Sequence, residues 1–134
     1  MKKKSLLFIN FIVLQFFSFS QKTEIGKIKF SENFDNIYNH LLFTDTSRIS
    51  SFLIEIKKEV RAHKHIEHAE HVYILEGRGE MKLGNDSFEI KKGDLIFIPP
   101  NTFHSVKTLS KKSLKVISFQ APYFDGKDRI MLNN

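Results

Sequence analysis

Residues 61–71 read RAHKHIEHAEH, which puts four of the chain's six histidines, His63, His65, His68 and His71, beside Glu67 and Glu70. Side chains of an extended strand alternate between faces, so His63 and His65 share one face and can chelate one ion together. Glu70 follows a turn and opens the apolar run Val72 to Leu75, where it can return as a carboxylate ligand. His104 follows the turn Pro99-Pro100-Asn101 at the start of another strand and can close the same site from across a barrel. Three imidazoles and a carboxylate suit one divalent transition metal, Fe, Mn, Ni, Cu or Zn, and argue against Ca or Mg, which prefer oxygen ligands.

Two other readings of this stretch compete. His65, His68 and His71 could form one face of a zinc-binding helix, but the neighbouring strand-like runs and the absence of a capping residue before Arg61 argue against it. The metalloprotease spacing H-E-x-x-H is absent, since Lys64 follows His63 and Ala69 follows His68. A solvated charged loop with no ligand is the other alternative. His68, His71 and Glu67 are placed at the outer shell or rim of the site, with a surface role the plainer reading for each.

Outward from the histidines, the strand period dominates. Ser51 to Lys57 sets Phe52, Ile54 and Ile56 against Glu55 and Lys57 on the opposite face. Glu80 to Leu83, Ser87 to Ile90, Leu95 to Ile98 and Leu114 to Phe119 are further runs rich in apolar and β-branched residues, separated by Gly77-Arg78-Gly79, Gly84-Asn85-Asp86 and Lys92-Gly93-Asp94. This spacing predicts an all-β sandwich or barrel, its interior lined by Phe52, Ile54, Val72, Ile74 and Phe97. Residues 31–43 read as one short helix or an irregular leading arm. The tail from Ala121 to Arg129 reads as a strand end, a turn and a returning segment that Asp128 and Arg129 tie down.

The length of 134 residues and 41% hydrophobic content suit one domain, and the absence of Cys excludes disulfides, zinc ribbons, iron–sulfur clusters and thiol nucleophiles. The net charge of +6 includes Lys2, Lys3 and Lys4, and the remaining lysines are scattered among acids without a basic stripe, so no nucleic-acid partner is expected. Residues 1–20 resemble a signal peptide: a basic start, an apolar stretch from Leu6 to Phe17, then Ser18-Phe19-Ser20 before Gln21. The apolar run, interrupted by Asn10 and Gln15, is short for a membrane span, which needs about 20 apolar residues. The expectation is cleavage before Gln21, no stable membrane anchor, and a periplasmic or secreted protein with one domain over 21–134.

Taken together, the residues resemble the cupin superfamily in both of its motifs. His63, His65, Glu70 and Gly77 fit G-x5-H-x-H-x4-E-x6-G, and Gly93, Pro99 and His104 fit G-x5-P-x-G-x2-H-x3-N, over roughly residues 48–120. Lys57, Asn101 and Thr108 stand where the motifs have glycine, glycine and asparagine. None is a ligand position, and Asn tolerates the positive φ that such a turn needs. The resemblance implies a double-stranded β-helix barrel of jelly-roll type, often a homodimer, with the metal at its open end. It does not choose an activity, since cupins include dioxygenases, isomerases, lyases, storage proteins and binding modules.

Two functions therefore fit these residues. One is a mononuclear metalloenzyme, dioxygenase-like or isomerase- or lyase-like, that takes a small polar oxygen-rich substrate on the metal positions its four protein ligands leave free, with Glu70 as a base that shifts off the metal. The other is a non-catalytic module that holds a metal or small ligand. A purely structural role fits the ligand set least.

Overall fold

The computed structural model describes residues 21–31 and 33–132. The leader read at residues 1–20 lies outside them. Among the described residues ten strands follow a 3-10 turn at Ile25–Lys27: β1 Ile37–Asp45, β2 Ile49–Ile56, β3 Glu59–Lys64, β4 Ala69–Glu76, β5 Arg78–Leu83, β6 Asp86–Lys91, β7 Leu95–Ile98, β8 His104–Thr108, β9 Leu114–Ala121 and β10 Ile130–Met131. They form two five-stranded sheets, in the orders β1-β2-β9-β4-β7 and β10-β3-β8-β5-β6, with antiparallel pairing throughout. Among the described residues no helix is long and apolar enough to cross a membrane.

Alternation along each strand builds the interior. In the first sheet Phe52, Ser118, Val72 and Ile96 form one cross-strand row, and Gln120, Glu70 and Ile98 form the next. Ile56, Ile74, Met81, Ile90, Ile96, Ile98, Leu114 and Val116 pack into the buried core, and Val60, Val72 and Val106 pack against it. The hydrophobic effect acts on this cluster from both sheets and fixes their register, because a one-residue slip would turn each apolar row outward.

Two features of the sequence reading change. From Ile37 the stretch read as a short helix or an irregular arm is neither: it is strand β1, paired to β2 with a register shift between Leu41 and Phe43. Pairing covers the open edge of β2, and that gain overrides the loosely helical spacing of Phe34, Ile37, Tyr38 and Leu41. Phe97 does not line the interior: Ile96 and Ile98 take the inward positions, while Phe97 is exposed and rests on the exposed His71 ring. Ile74 is interior as expected, fully buried in the core, while Phe52, Ile54 and Val72 wall the cavity.

The substituted motif positions keep their turns. Asn101 adopts φ 59°, its amide donates to the His65 carbonyl at 2.5 Å, and its Oδ1 accepts from Lys64 Nζ at 2.7 Å. Thr108 donates through Oγ1 to the Ile56 carbonyl at 3.0 Å. Gly77 has φ 86°, and a Cβ there would meet the Ser113 carbonyl at 2.7 Å. It is a position for glycine alone.

Candidate metal centre

His63 and His104 are direct cross-strand partners on β3 and β8, with ring centroids 4.2 Å apart. The β3 register shifts between Val60 and His63, so a bulge turns His63 inward although it lies an odd number of residues beyond the inward Val60. His65 follows the end of β3 on the same face, and Glu70 enters from β4 of the opposite sheet. All four side chains are buried, at 5%, 3%, 7% and 6% exposure for His63, His65, Glu70 and His104. One ring nitrogen from each of the three histidines lies within 4.8 Å of the others. Glu70 Oε2 stands 4.0 Å from His65 Nε2 and 3.4 Å from His104 Nε2. The structure thus brings together the four residues singled out from the sequence.

Each ring is fixed from behind by its other nitrogen. Nδ1 of His63 donates to the Arg61 carbonyl at 2.9 Å, Nδ1 of His65 to the Asp128 carbonyl, and Nδ1 of His104 to the Thr102 carbonyl at 3.0 Å. A neutral imidazole whose Nδ1 carries the proton presents a lone pair at Nε2. The carboxylate is held likewise: Ser118 Oγ donates to Glu70 Oε1 at 2.5 Å and Gln120 Nε2 approaches it at 3.5 Å, while Oε2 faces the histidines.

Burial, reinforced by the neighbouring His104, pushes the His63 pKa down to about 4, and burial also lowers that of His65. Burial alone would raise the Glu70 carboxyl, but the facing His104 and the Ser118 hydroxyl hold it at about 2. His63 and His65 are thus held neutral beside an ionised carboxylate, the states in which these groups act as ligands. Nε2 of His104 is buried without a hydrogen-bond partner. A buried ring nitrogen without a hydrogen-bond partner, 3.4 Å from a carboxylate oxygen, is costly unless a cation sits between them. The residues fit one divalent transition metal.

His68 is not at the surface, the plainer reading for it, but in the outer shell. It is buried at 4% exposure, with Nδ1 2.5 Å from Asp128 Oδ2 and Nε2 2.8 Å from the Tyr123 carbonyl. Both ring nitrogens face acceptors, so both carry protons. Although burial lowers its pKa, the Tyr123 carbonyl and Asp128 outweigh burial and raise it. Asp128 also accepts the amides of Ile66, Glu67 and His68 at 2.8, 2.9 and 3.2 Å. Against the effect of burial, the His68 ring first and then these amides hold its carboxyl well below the usual range. His65, His68 and Asp128 thus form a second cluster of donor atoms, but the His68 imidazolium offers no lone pair to a metal. Phe124 of the same tail packs edge-on against His65 and His68. Sequence reading tied Asp128 only to the tail and gave no role to Ser118, Gln120 or Phe124, because strand parity says nothing about groups dozens of residues apart.

The centre opens on an interior cavity of about 130 Å³, walled by Phe52, Ile54, Val72, Val116 and Phe124. A larger groove of about 810 Å³ lies away from the four residues, on the outer side of β3, β5 and β8 around Arg61, Glu80, Lys82 and Lys107.

A barrel of two antiparallel sheets with this histidine-rich end is the cupin architecture. The chain belongs to the cupin domain family, whose model matches residues 52–119. It is 34% identical over 117 residues to the uncharacterized protein MJ1618 of Methanocaldococcus jannaschii, covering 83% of this chain and 94% of that one. Among solved structures it is similar in fold to KdgF from Halomonas sp., with TM-score 0.66, 19% identity and coverage of 75% of this chain and 92% of the other. Streptomyces Pac13 with uridine matches with TM-score 0.66, 18% identity, and 75% and 82% coverage.

Proposed function

We propose that this protein is an exported mononuclear metalloenzyme in which His63, His65, Glu70 and His104 hold one divalent transition metal and a small oxygen-rich molecule binds beside it. The observation that carries this reading is the convergence of three imidazoles, each tied at Nδ1 to a backbone carbonyl, on the ionised Glu70 at the head of an apolar cavity. The ion, when bound, supplies Lewis-acid polarisation of an oxygen donor, and redox chemistry if it is Fe, Mn or Cu.

The chain's own residues do the rest. The Nδ1 hydrogen bonds fix tautomer and ring orientation, so three Nε2 lone pairs are delivered without reorganisation. Ser118 keeps Glu70 Oε1 occupied and Oε2 directed at the histidines. Held at about 2, Glu70 is first an ionised ligand, and Oε2 becomes a proton acceptor only when it leaves His104. Phe52, Ile54, Val72 and Phe124 exclude water from the cavity and seat the apolar part of the substrate. The nucleoside dehydratase Pac13 is one enzyme on this fold, which supports catalysis by the scaffold and leaves the chemistry to the site.

Elemental analysis of the protein purified from its own compartment tests the reading: about one Fe, Mn, Ni, Cu or Zn per chain is expected on a product beginning at Gln21. Metal-free protein would overturn the metal centre. A chain retaining Lys2 would overturn export with cleavage. Metal-replete protein without turnover on oxygen-rich acids and sugars would favour the binding module.

A further inference from the structure

The tail that carries Asp128 also brings Arg129 to the mouth of the cavity. Arg129 lines the inner cavity with His63, His65 and Glu70, and also lines an outer groove with Asn36, Ile37, Glu59 and Arg61. Ile37 and Arg129 belong to both, so this guanidinium stands where groove and cavity meet.

Among the described residues Arg129 forms no ion pair. Its Nη2 lies 3.4 Å from His63 Nδ1, a nitrogen that already donates its proton to the Arg61 carbonyl. Two donors thus face each other, and the contact satisfies neither. Arg129 is exposed on its groove side, and its guanidinium lies within range of the charges of Glu70 and Arg61. The inner wall otherwise carries one charged side chain, Glu70. A divalent ion neutralised once by Glu70 retains a positive charge, and Arg129 adds another. A low-dielectric cavity with a cationic head and apolar walls concentrates anions.

On the reading of the metal centre given above, we infer that Arg129 binds the carboxylate of the substrate, which is a short 2-oxo or 2-hydroxy acid whose oxygens lie at the metal and whose hydrocarbon part lies against Phe52, Val72 and Phe124. Size agrees: the cavity of about 130 Å³ compares with the roughly 150 Å³ that accepts benzene, hence a ligand of about six heavy atoms. Planar guanidinium matches carboxylate in a bidentate pair, which a lysine ammonium does not reproduce.

The test uses the full mature chain loaded with Co(II), whose visible absorption reports ligands at the metal. It is titrated with pyruvate and, separately, with imidazole as a neutral ligand for the metal alone. Pyruvate is expected to bind at least about tenfold more weakly to Arg129→Gln, with partial recovery in Arg129→Lys, while imidazole affinity stays the same in all three proteins. Equal pyruvate affinity in wild type and both variants, with imidazole still shifting the spectrum, would overturn the role of Arg129 and leave the metal centre standing. A parallel loss of imidazole affinity would also overturn it, since Arg129 would then only support the ligand histidines. Failure of the wild-type chain to take up Co(II) would remove the metal-centre reading, and this inference with it.

Discussion

His65 and Asp128 are 63 residues apart in the chain, and the Asp128 backbone carbonyl accepts the Nδ1 proton of the His65 ring. The Asp128 side chain meanwhile receives the amides of the turn that carries Ile66, Glu67 and His68. One tail residue therefore sets both the tautomer of a candidate ligand and the conformation of the loop beside it.

That double role predicts the behaviour of an Asp128→Ala variant. It keeps the carbonyl but loses the acceptor for three amides and the His68 ring, so the turn and tail loosen around His65. Metal affinity should fall about 10–100-fold, the range for residues that orient ligands. Competition with a chromophoric chelator measures it, and unchanged affinity would show that the carboxylate has no part in positioning His65.

Replacing His63, His65, Glu70 or His104 by Ala should each reduce metal affinity by more than about 100-fold, because a ligand is lost rather than misaligned. His71→Ala should leave it unchanged, since that ring lies exposed against Phe97. His68→Ala is expected between these extremes through its bond to Asp128. Metal content after dialysis ranks the variants; a His71 loss equal to that of His65 would overturn the assignment of these four ligands.

The pKa shifts set an acid limit on the metal-free protein. His63 and His65 are lowered from 6.5, His63 to about 4, so below pH 6.5 the unfolded chain binds more protons and stability falls as pH drops toward 4. Glu70, lowered from 4.5 to about 2, adds stability that is present above pH 4.5 and is lost as pH falls through 2. His68, raised above 6.5, acts oppositely: its contribution is full below 6.5 and is lost as pH rises through its folded value. Thermal unfolding should show Tm falling from pH 6.5 to 4 by about 5 °C or more. A flat profile would contradict neutral buried rings.

Gly77→Ala should destabilise the barrel by at least about 1–2 kcal/mol, since an L side chain is strained at positive φ and the new Cβ would meet the Ser113 carbonyl. Urea unfolding of the folded variant checks this, and stability equal to wild type would mean that the β4–β5 turn adapts.

The sequence by itself determined the β architecture, because period-two alternation in runs such as Phe52-Leu53-Ile54-Glu55-Ile56 is a local signal, and glycines and prolines punctuate it. It also singled out His63, His65, Glu70 and His104, since two histidines two residues apart on a strand share a face whatever the rest of the chain does. Only the tertiary structure decided that β1 is a strand, because its pairing energy comes from the edge of β2 and not from its own spacing. Only the fold decided that His68 is a buried imidazolium, that Ser118 grips Glu70, and that Asp128 and Arg129 reach the mouth of the barrel. Those relationships span 48 to 66 residues, and the physical reason is the same for each. Hydrogen bonds and charge contacts between distant segments exist only after burial has closed the two sheets, and nothing in the local pattern of either partner encodes the other.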